Sequence, residues 1–161
     1  MGDKIAIMHN GVVQQVGTPY EVYHQPANLF VGSFIGLPQI NRFDCELQAS
    51  GGDLRLASAE FNAIVPQPVA ARLATSAGSR RITLGLRPEF IGIAGADAAR
   101  PASGSVKLVE LMGSRSLVLV EHGAEDLRVL VQGASPVAEG DKVSLIPDLA
   151  RAFYFAEDGK N

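Results

Sequence analysis

This sequence contains almost no cysteine, no long apolar run and no secretory signal. The one cysteine, Cys45, cannot form a disulfide within the chain, which favours a reducing compartment. The longest apolar stretch, Leu29–Leu37, is interrupted by glycine and serine. It is also far shorter than the roughly 18–20 residues that cross a bilayer as a helix. Because no basic and then apolar segment opens the sequence, we expect a soluble cytoplasmic chain.

The sequence also has a small net charge and few aromatic residues. The net charge is -3, Lys and Arg are scattered, Trp is missing, and aromatic residues make up 6% of the chain. Such a sequence offers neither a basic patch nor a stacking platform for nucleic acid. His9 and His24 have no Cys, His or carboxylate partner at metal-ligand spacing. We therefore expect no metal and no cofactor in this chain.

Length and composition indicate a globular chain. Its 161 residues, 47% hydrophobic and 19% charged, are enough for one ordinary domain or two very small ones. A chain of this length buries roughly two-thirds of the surface that its unfolded form exposes. Folding therefore requires neither a disulfide nor a metal.

The first forty residues predict a hairpin followed by two short helices. Asn10-Gly11 lies between apolar runs and favours a type I′ turn. Thr18, Pro19 and Glu21 predict a helix start with a capping box. Gly36 should end the second helix. The residues predicted to share the apolar face of that helix are Leu29, Phe30, Phe34 and Ile35.

From Phe43 onward the apolar pattern changes to a period of two, which is typical of strands. The predicted strands contain Phe43–Leu47, Leu54–Leu56, Phe61–Val65, Ile82–Leu86, Val106–Leu111, Leu117–Glu121, Leu127–Val131, Val143–Ile146 and Ala152–Phe155. Pro66–Thr75 is compatible with a helical turn, and Gly92–Ser103 is predicted to be a loop. The pattern predicts a mainly β chain, built as a sandwich or a small barrel.

Two sets of motifs occur at fixed spacing. The N-terminal set consists of Asp3, Lys4, Ile5, Ile7, Met8, Gly11, Val13, Gln15, Gly17, Pro19, Glu21, Val22, Tyr23, Pro26, Phe30, Val31, Phe34, Ile35, Gly36, Pro38 and Asn41. The second set comprises Leu84–Glu89, Gly104–Gly113, Gly140–Val143 and Phe155–Gly159. Together they closely resemble the C-terminal part of the ATP-binding subunits of ABC importers for maltose, glycerol-3-phosphate and other sugars.

The resemblance implies two regions and a set of partners. Residues 1–40 would end the nucleotide-binding domain, and residues 41–161 would form an OB-like regulatory barrel, the TOBE domain. In relatives this region packs against its twin in an ATPase dimer and receives regulatory signals. The resemblance therefore implies a homodimer, with permease subunits and cytoplasmic regulators as partners of the full-length protein. That protein would use ATP and Mg²⁺ at the inner face of the plasma membrane.

The sequence contains no phosphate-binding loop of the form G-x-x-x-x-G-K-[ST], whose backbone N–H groups wrap nucleotide phosphates. At the one Gly-Lys pair, Gly159-Lys160, Tyr154 replaces the first glycine and Asn161 replaces the Ser or Thr. Ser50–Asp53 resembles the family's L-S-G-G-Q signature only superficially and is predicted to be a turn. No strand ends in Asp-Glu, and no switch histidine precedes the hairpin. We therefore expect this chain not to be an enzyme.

Arg87 and Glu89 are the first candidates for contact with a regulator or a ligand. They flank Pro88, which should end the preceding strand because it cannot donate a ladder hydrogen bond. One interpretation is a local ion pair, worth well under about 1 kcal/mol if it is exposed to water. The other is a contact with a subunit or a ligand.

Glu110, Arg115 and Arg128 are the remaining candidates. Glu110 lies on an apolar strand beside Gly113 and is predicted either to cap that turn or to face a ligand at the barrel mouth. Arg115 and Arg128 are candidates for lining the same mouth.

Two functions remain open at the level of sequence. The first is a non-catalytic regulatory and dimerisation region of an importer ATPase. The alternative is a small-molecule sensor that binds a sugar or an oxyanion in an OB-like barrel. Binding of single-stranded nucleic acid is disfavoured by the acidic net charge and the few aromatic residues. For the N-terminal hairpin, we expect docking on the barrel, pairing with another copy, or disorder.

Overall fold

A computed structural model of the chain describes residues 3–58, 61–75, 81–96, 101–123 and 125–161. The strands are β1 (Ile5–His9), β2 (Val12–Gly17), β3 (Asn41–Ser50), β4 (Asp53–Ala57), β5 (Asn62–Ile64), β6 (Arg81–Leu86), β7 (Ile91–Gly95), β8 (Ala102–Met112), β9 (Arg115–His122), β10 (Glu125–Gln132), β11 (Lys142–Pro147) and β12 (Phe153–Ala156). The helices are α1 (Pro19–His24), α2 (Leu29–Phe34), α3 (Gln67–Thr75) and a 3₁₀ turn at Pro88–Phe90. The predicted mainly β architecture is confirmed. Among the helices in these ranges, none combines the length and the apolar character that a membrane crossing requires.

The N-terminal hairpin packs on the two helices that follow it. Strands β1 and β2 pair around Asn10 and Gly11, whose φ angles of 49° and 78° confirm the predicted turn. Ile7 is buried together with Val22 of α1 and Val31 of α2. The expectations that the hairpin docks on the barrel or is disordered are therefore wrong, because its buried side rests on its own helices. Pairing with another copy stays a prediction.

Helix α1 begins with the predicted capping box. The Thr18 hydroxyl accepts from the Glu21 N–H at 3.2 Å, and the Glu21 carboxylate accepts from the Thr18 N–H at 2.7 Å. These bonds satisfy two backbone donors that the first turn otherwise leaves unpaired.

Helix α2 buries a different face from the predicted one. Val31 and Gly32 are its buried residues, whereas Phe34 is 62% exposed. The reason lies at Gly32, where an added Cβ would be 3.1 Å from the ring of Phe155. The helix thus approaches the rest of the fold through its smallest residue, and the larger aromatic side chain is left outside.

After helix α2, the described residues form two antiparallel sheets of five strands, together with α3 and the 3₁₀ turn. Their strand orders are β10-β9-β8-β11-β7 and β12-β6-β3-β4-β5. The loop predicted at Gly92–Ser103 is wrong at both ends, because β7 pairs with β11, with Ile93 opposite Leu145, and β8 begins at Ala102. Residues 97–100 of that predicted loop lie outside the described ranges.

One apolar core joins the two sheets. It includes Phe43 and Leu84 from one sheet and Val118 and Val129 from the other. Cys45 is part of this core, and burial raises the pKa of its thiol to about 11. A separate cluster of Ile40, Phe153 and Phe155, with Leu29 packed against it, lies where helix α2 meets the sheets.

Candidate functional site

The junction between the helices and the sheets is built around the end of strand β6. The strand ends at Leu86, and Pro88, which has no N–H, begins the 3₁₀ turn. Gly85 lets the aromatic cluster come close, since an added Cβ there would lie 2.9 Å from Phe155. These features place the side chain of Arg87 between the sheet and both N-terminal helices.

Arg87 binds the carboxyl ends of both N-terminal helices. Its Nη2 donates to the carbonyl of Tyr23 in α1 at 2.8 Å. Its Nη1 donates to the carbonyl of Gly32 in α2 at 3.3 Å, and to that of Ile35, the C-cap of the same helix. The last carbonyls of a helix have no partner within the helix. One guanidinium therefore satisfies carbonyls from two helices at once.

The surroundings of Arg87 favour its positive charge although the residue is fully buried. The guanidinium carbon lies 3.9 Å from the ring centroid of Tyr23 and 5.4 Å from that of Phe153, which are cation–π distances. Helix C-termini carry partial negative charge and stabilise a cation. Burial lowers the pKa of Arg87 below its usual value, and nearby Tyr23 and Glu89 oppose that shift. An arginine nevertheless stays protonated in a protein.

Glu89 contacts the hydroxyl of Tyr23 in helix α1. The Tyr23 hydroxyl donates a short hydrogen bond to the Glu89 carboxylate. Burial, and then this contact with Glu89, raises the pKa of Tyr23 to about 12. The positive charges of Arg87 and Arg115 act on the same hydroxyl in the opposite direction. The structure thus brings two of the five sequence-predicted residues, Arg87 and Glu89, into contact with Tyr23.

The predicted exposed ion pair of Arg87 with Glu89 is wrong. Arg87 is buried, Glu89 is exposed, and each binds a partner on the N-terminal helices, the first through backbone carbonyls and the second through Tyr23. The physical reason is that α1 and α2 cover the end of strand β6. That contact lies more than fifty residues away in sequence and leaves no periodic signal.

Arg128 lies at a second contact of the same junction. The side chain of Asn41 pairs with the backbone of Arg128 in both directions, donating to its carbonyl at 2.8 Å and accepting from its N–H at 2.7 Å. Asn41 is buried, and its amide acts as a short strand partner for β10, an outer strand of its sheet. The guanidinium of Arg128 borders a cleft beside this pair.

Glu110 lies apart from the junction. It is exposed on β8 opposite Leu117 and, among the described residues, makes no hydrogen bond to the turn at Gly113. The neighbouring strand β9 buries Val118 and Val120, and side chains alternate between the two faces of a strand. Leu117 therefore lies on the outer face of the sheet, and the register places Glu110 beside it. This placement excludes the predicted turn cap and an inward-facing position in the barrel.

The C-terminal tail contributes further contacts to the helices. The N–H of Leu29 donates to the carbonyl of Gly159 at 2.8 Å, and the Asn161 amide donates to the carbonyl of Pro26 at 3.1 Å. The start of α2 is therefore held by the end of the chain, while its end is held by Arg87.

Two polar clefts lie near these contacts. One, of about 540 Å³, separates α2 and its following linker from β10, and its lining residues are Ser33, Gln39, Ile40, Asn41, Arg42, Glu125, Asp126, Leu127 and Arg128. The other, of about 590 Å³, lies where β8, β9 and β11 meet and is lined by Ala96, Ser103, Gly104, Ser105, Glu121, Gly123, Lys142, Val143 and Ser144. In the part of the chain that the structure describes, no group of His, Cys, Asp or Glu is arranged to hold a metal.

Sequence reasoning did not find the roles of Arg87 and Asn41. Both residues belong to the motifs that carry the family resemblance, so their positions were visible. Their functions as cap and strand partner depend on contacts between distant segments, which periodicity does not report. His122, at the end of β9, is also buried, and its Nδ1 lies 2.7 Å from the carbonyl of Ser103.

Comparison with known proteins supports the resemblance. Residues 84–155 match the TOBE domain family. The chain is 34% identical over 160 residues to the uncharacterized ABC transporter ATP-binding protein YurJ of Bacillus subtilis, covering 96% of this chain and 43% of YurJ. It is also 34% identical to the sn-glycerol-3-phosphate import ATP-binding protein UgpC of Vibrio vulnificus, covering 99% of this chain and 41% of UgpC. The alpha-glucoside transport ATP-binding protein AglK of Rhizobium meliloti is 30% identical over the whole chain, which spans 44% of AglK.

A solved structure supports the fold. The cytoplasmic molybdate-binding protein ModG aligns with a TM-score of 0.52 at 13% sequence identity, covering 74% of this chain and 98% of that chain. At this level of identity the likeness concerns the fold alone, and it agrees with an OB-type β architecture. This chain therefore contains a TOBE domain and is related, over nearly its whole length, to part of the ATP-binding proteins of ABC transporters.

Proposed function

We propose that this chain is the non-catalytic regulatory and dimerisation region of the ATP-binding subunit of a sugar-type ABC importer, for a carbohydrate, a polyol or glycerol-3-phosphate. The TOBE match and the names of the relatives support the assignment. The observation that carries the regulatory part is the buried guanidinium of Arg87, which ties the barrel to two helix ends.

In this proposal, residues 1–40 belong to the nucleotide-binding domain and residues 41–161 form the regulatory domain. A change in the barrel moves the end of β6, and Arg87 transmits that movement to α1 and α2 because it is bonded to both. The full-length protein would hydrolyse ATP with Mg²⁺, bind permease subunits and act at the cytoplasmic face of the membrane. The chain itself binds no nucleotide, because its sequence has no phosphate-binding loop.

The proposed self-association is supported by the end of the β8–β9 hairpin. Leu111 is 68% exposed and Met112 47% exposed beside the turn at Gly113. Apolar side chains grouped at one end of a sheet are typical of protein contacts.

Two measurements test this function. Isothermal calorimetry with Mg-ATP should give no binding in the micromolar range, and sedimentation equilibrium should show a reversible dimer. Leu111→Glu should weaken the dimer, because it places a charge in the contact, while the matched exposed variant Ile64→Glu on β5 should not. Micromolar ATP binding would contradict the non-catalytic assignment, and a strict monomer at all concentrations would contradict the dimerisation role.

The second candidate function, a small-molecule sensor, is favoured by the cleft between β8, β9 and β11. Serine residues and Lys142 line this cleft, and these groups bind sugar hydroxyls or an oxyanion. A ligand at one hundred times its dissociation constant stabilises the folded state by about 2.7 kcal/mol, so a thermal-shift screen with sugars and oxyanions tests it. Shifts that Lys142→Gln abolishes would support this function, and no shift with any compound would contradict it.

A further inference from the structure

The cleft between helix α2 and strand β10 has the features of a ligand site at the junction itself. We propose that it binds a small phosphorylated polyol, which acts as an effector of the regulatory region. Its volume of about 540 Å³ lies in the range of small-molecule sites, roughly 300–1,000 Å³. The proposal rests on the regulatory role proposed above for its biological meaning, whereas binding is measured on the chain alone.

The charges of the cleft favour a phosphate group. Arg42 and Arg128 both line it, and among the described residues neither guanidinium has a hydrogen-bond or ion-pair partner. A guanidinium group can donate two parallel hydrogen bonds to the oxygens of one phosphate. Of the two acidic residues in the lining, Asp126 is already paired with Lys107 at 2.7 Å. The cleft therefore retains two positive groups against the single free carboxylate of Glu125.

Glu125 explains why the ligand should carry hydroxyl groups as well as a phosphate. A free carboxylate accepts hydrogen bonds and repels a second anionic group. The amide of Gln39, which also lines the cleft, both donates and accepts. A polyol phosphate fits this set, because its phosphate can bind the guanidinium groups while its hydroxyls donate to Glu125 and bond to Gln39.

Ser33 is a further sign of a missing partner. It lines the cleft, and its Oγ is buried and has no hydrogen-bond partner in the structure. A buried hydroxyl without a partner destabilises a fold. A ligand that occupies the cleft would supply that partner.

The cleft lies between the helices and the barrel, so a bound ligand contacts both. Ser33 and Gln39 come from α2 and the linker after it, while Glu125 and Arg128 come from β10. A ligand that contacts both sides strengthens the junction already formed by Arg87 with the helices and by Asn41 with Arg128. The effector thus acts on the attachment of the helices to the barrel.

The test is calorimetric titration of the 161-residue chain with glycerol phosphate, compared with glycerol and with inorganic phosphate at matched ionic strength. Glycerol phosphate should bind more tightly than inorganic phosphate, and glycerol should show no binding. Arg42→Gln and Arg128→Gln should each weaken binding by at least about tenfold, the usual effect of losing a charged hydrogen bond. Arg151→Gln, which changes an exposed cation outside this cleft, should leave the affinity within about twofold.

Ser33→Ala distinguishes a contact with the ligand from a purely structural role of Ser33. It should lower the affinity for glycerol phosphate while leaving the melting temperature of the free chain unchanged or raised, because it removes an unsatisfied hydroxyl. No binding of glycerol phosphate at millimolar concentration would overturn the proposal. Binding that Arg42→Gln and Arg128→Gln leave intact would overturn it too. Either result leaves the regulatory function standing, since that function is tested by nucleotide binding and self-association.

Discussion

Arg87 replaces water at the ends of two helices. Its hydrogen bonds reach the carbonyls of Tyr23, Gly32 and Ile35, and its flat faces contact aromatic rings. A lysine offers a single point charge, whereas the planar fork of arginine spans several acceptors while it stacks. This geometry explains why an arginine occupies a fully buried position.

Replacing Arg87 by Met should destabilise the chain by about 3 kcal/mol, because buried carbonyls lose their partners. Urea unfolding followed by circular dichroism measures the change. Arg151→Met is the matched control, since Arg151 also lies over an aromatic ring, Phe90 at 3.8 Å, but is exposed. The control should cost under about 1 kcal/mol, and equal costs for both variants would contradict the role given to Arg87.

Gly36→Ala should destabilise more than the backbone angle alone explains. Gly36 has φ of 115°, and an added Cβ would lie 2.8 Å from Nη1 of Arg87. Gly52→Ala is the control, because Gly52 has φ of 90°, also outside the left-handed helical region, with open space around it, so that its cost is backbone strain. Thermal unfolding should place Gly36→Ala clearly below Gly52→Ala. Similar melting temperatures would show that Gly36 does not pack against Arg87.

Tyr23 gives the junction a dependence on alkaline pH. Its pKa is raised to about 12, from about 10 in the unfolded chain, so the folded state favours the protonated phenol. This stabilisation is complete below about pH 10 and is lost as the pH rises toward 12. The stability advantage of the wild type over Tyr23→Phe should therefore shrink across that interval in urea titrations. Cys45, whose pKa is raised to about 11, is present in both proteins and cancels. A constant difference would show that Tyr23 does not titrate as described.

At the scale of elements, the hairpin and the helices form a small unit of their own. Ile7, Val22 and Val31 make an apolar cluster separate from the core of the sheets. This unit is joined to the sheets by hydrogen bonds of Arg87, Glu89 and the C-terminal tail, and by packing of Leu29 against the cluster that contains Phe155. A unit with a small core should open more readily than the barrel.

Ile7→Ala should release the hairpin without unfolding the sheets. Loss of a buried isoleucine side chain costs about 2–5 kcal/mol, and here the cost falls on a three-residue cluster. Amide hydrogen exchange should show reduced protection in Ile5–Val16 and unchanged protection in β8 and β9. Met8→Ala, at a position that is 56% exposed, should change neither. Loss of protection throughout the chain would mean that the hairpin and the sheets unfold together.

The sequence predicted the elements better than their contacts. Asn10-Gly11, the capping box at Thr18 and the alternation at Phe43–Leu47 are local signals, and each gave the correct element. The strand β7 was missed because Gly and Ala weaken its local signal, whereas its hydrogen bonds to β11 stabilise it. Arg87 was placed at the correct strand end but in water, because its partners lie in helices distant in sequence.

At the scale of the whole molecule, the sheets and the helical unit meet through polar contacts and a small apolar cluster, beside a charged cleft. In the proposed regulatory role, movement of the barrel passes to the helices through these contacts. The apolar core that joins the two sheets makes the barrel the rigid partner.

The most direct test of this account is amide hydrogen exchange on Arg87→Met, with Arg151→Met as the control. If Arg87 holds the helices to the barrel, α1 and α2 should lose protection while β8, β9 and β10 keep theirs. The control should match the wild type throughout. Helices that remain fully protected in Arg87→Met, or a barrel that loses protection to the same extent as the helices, would contradict the central role of this residue.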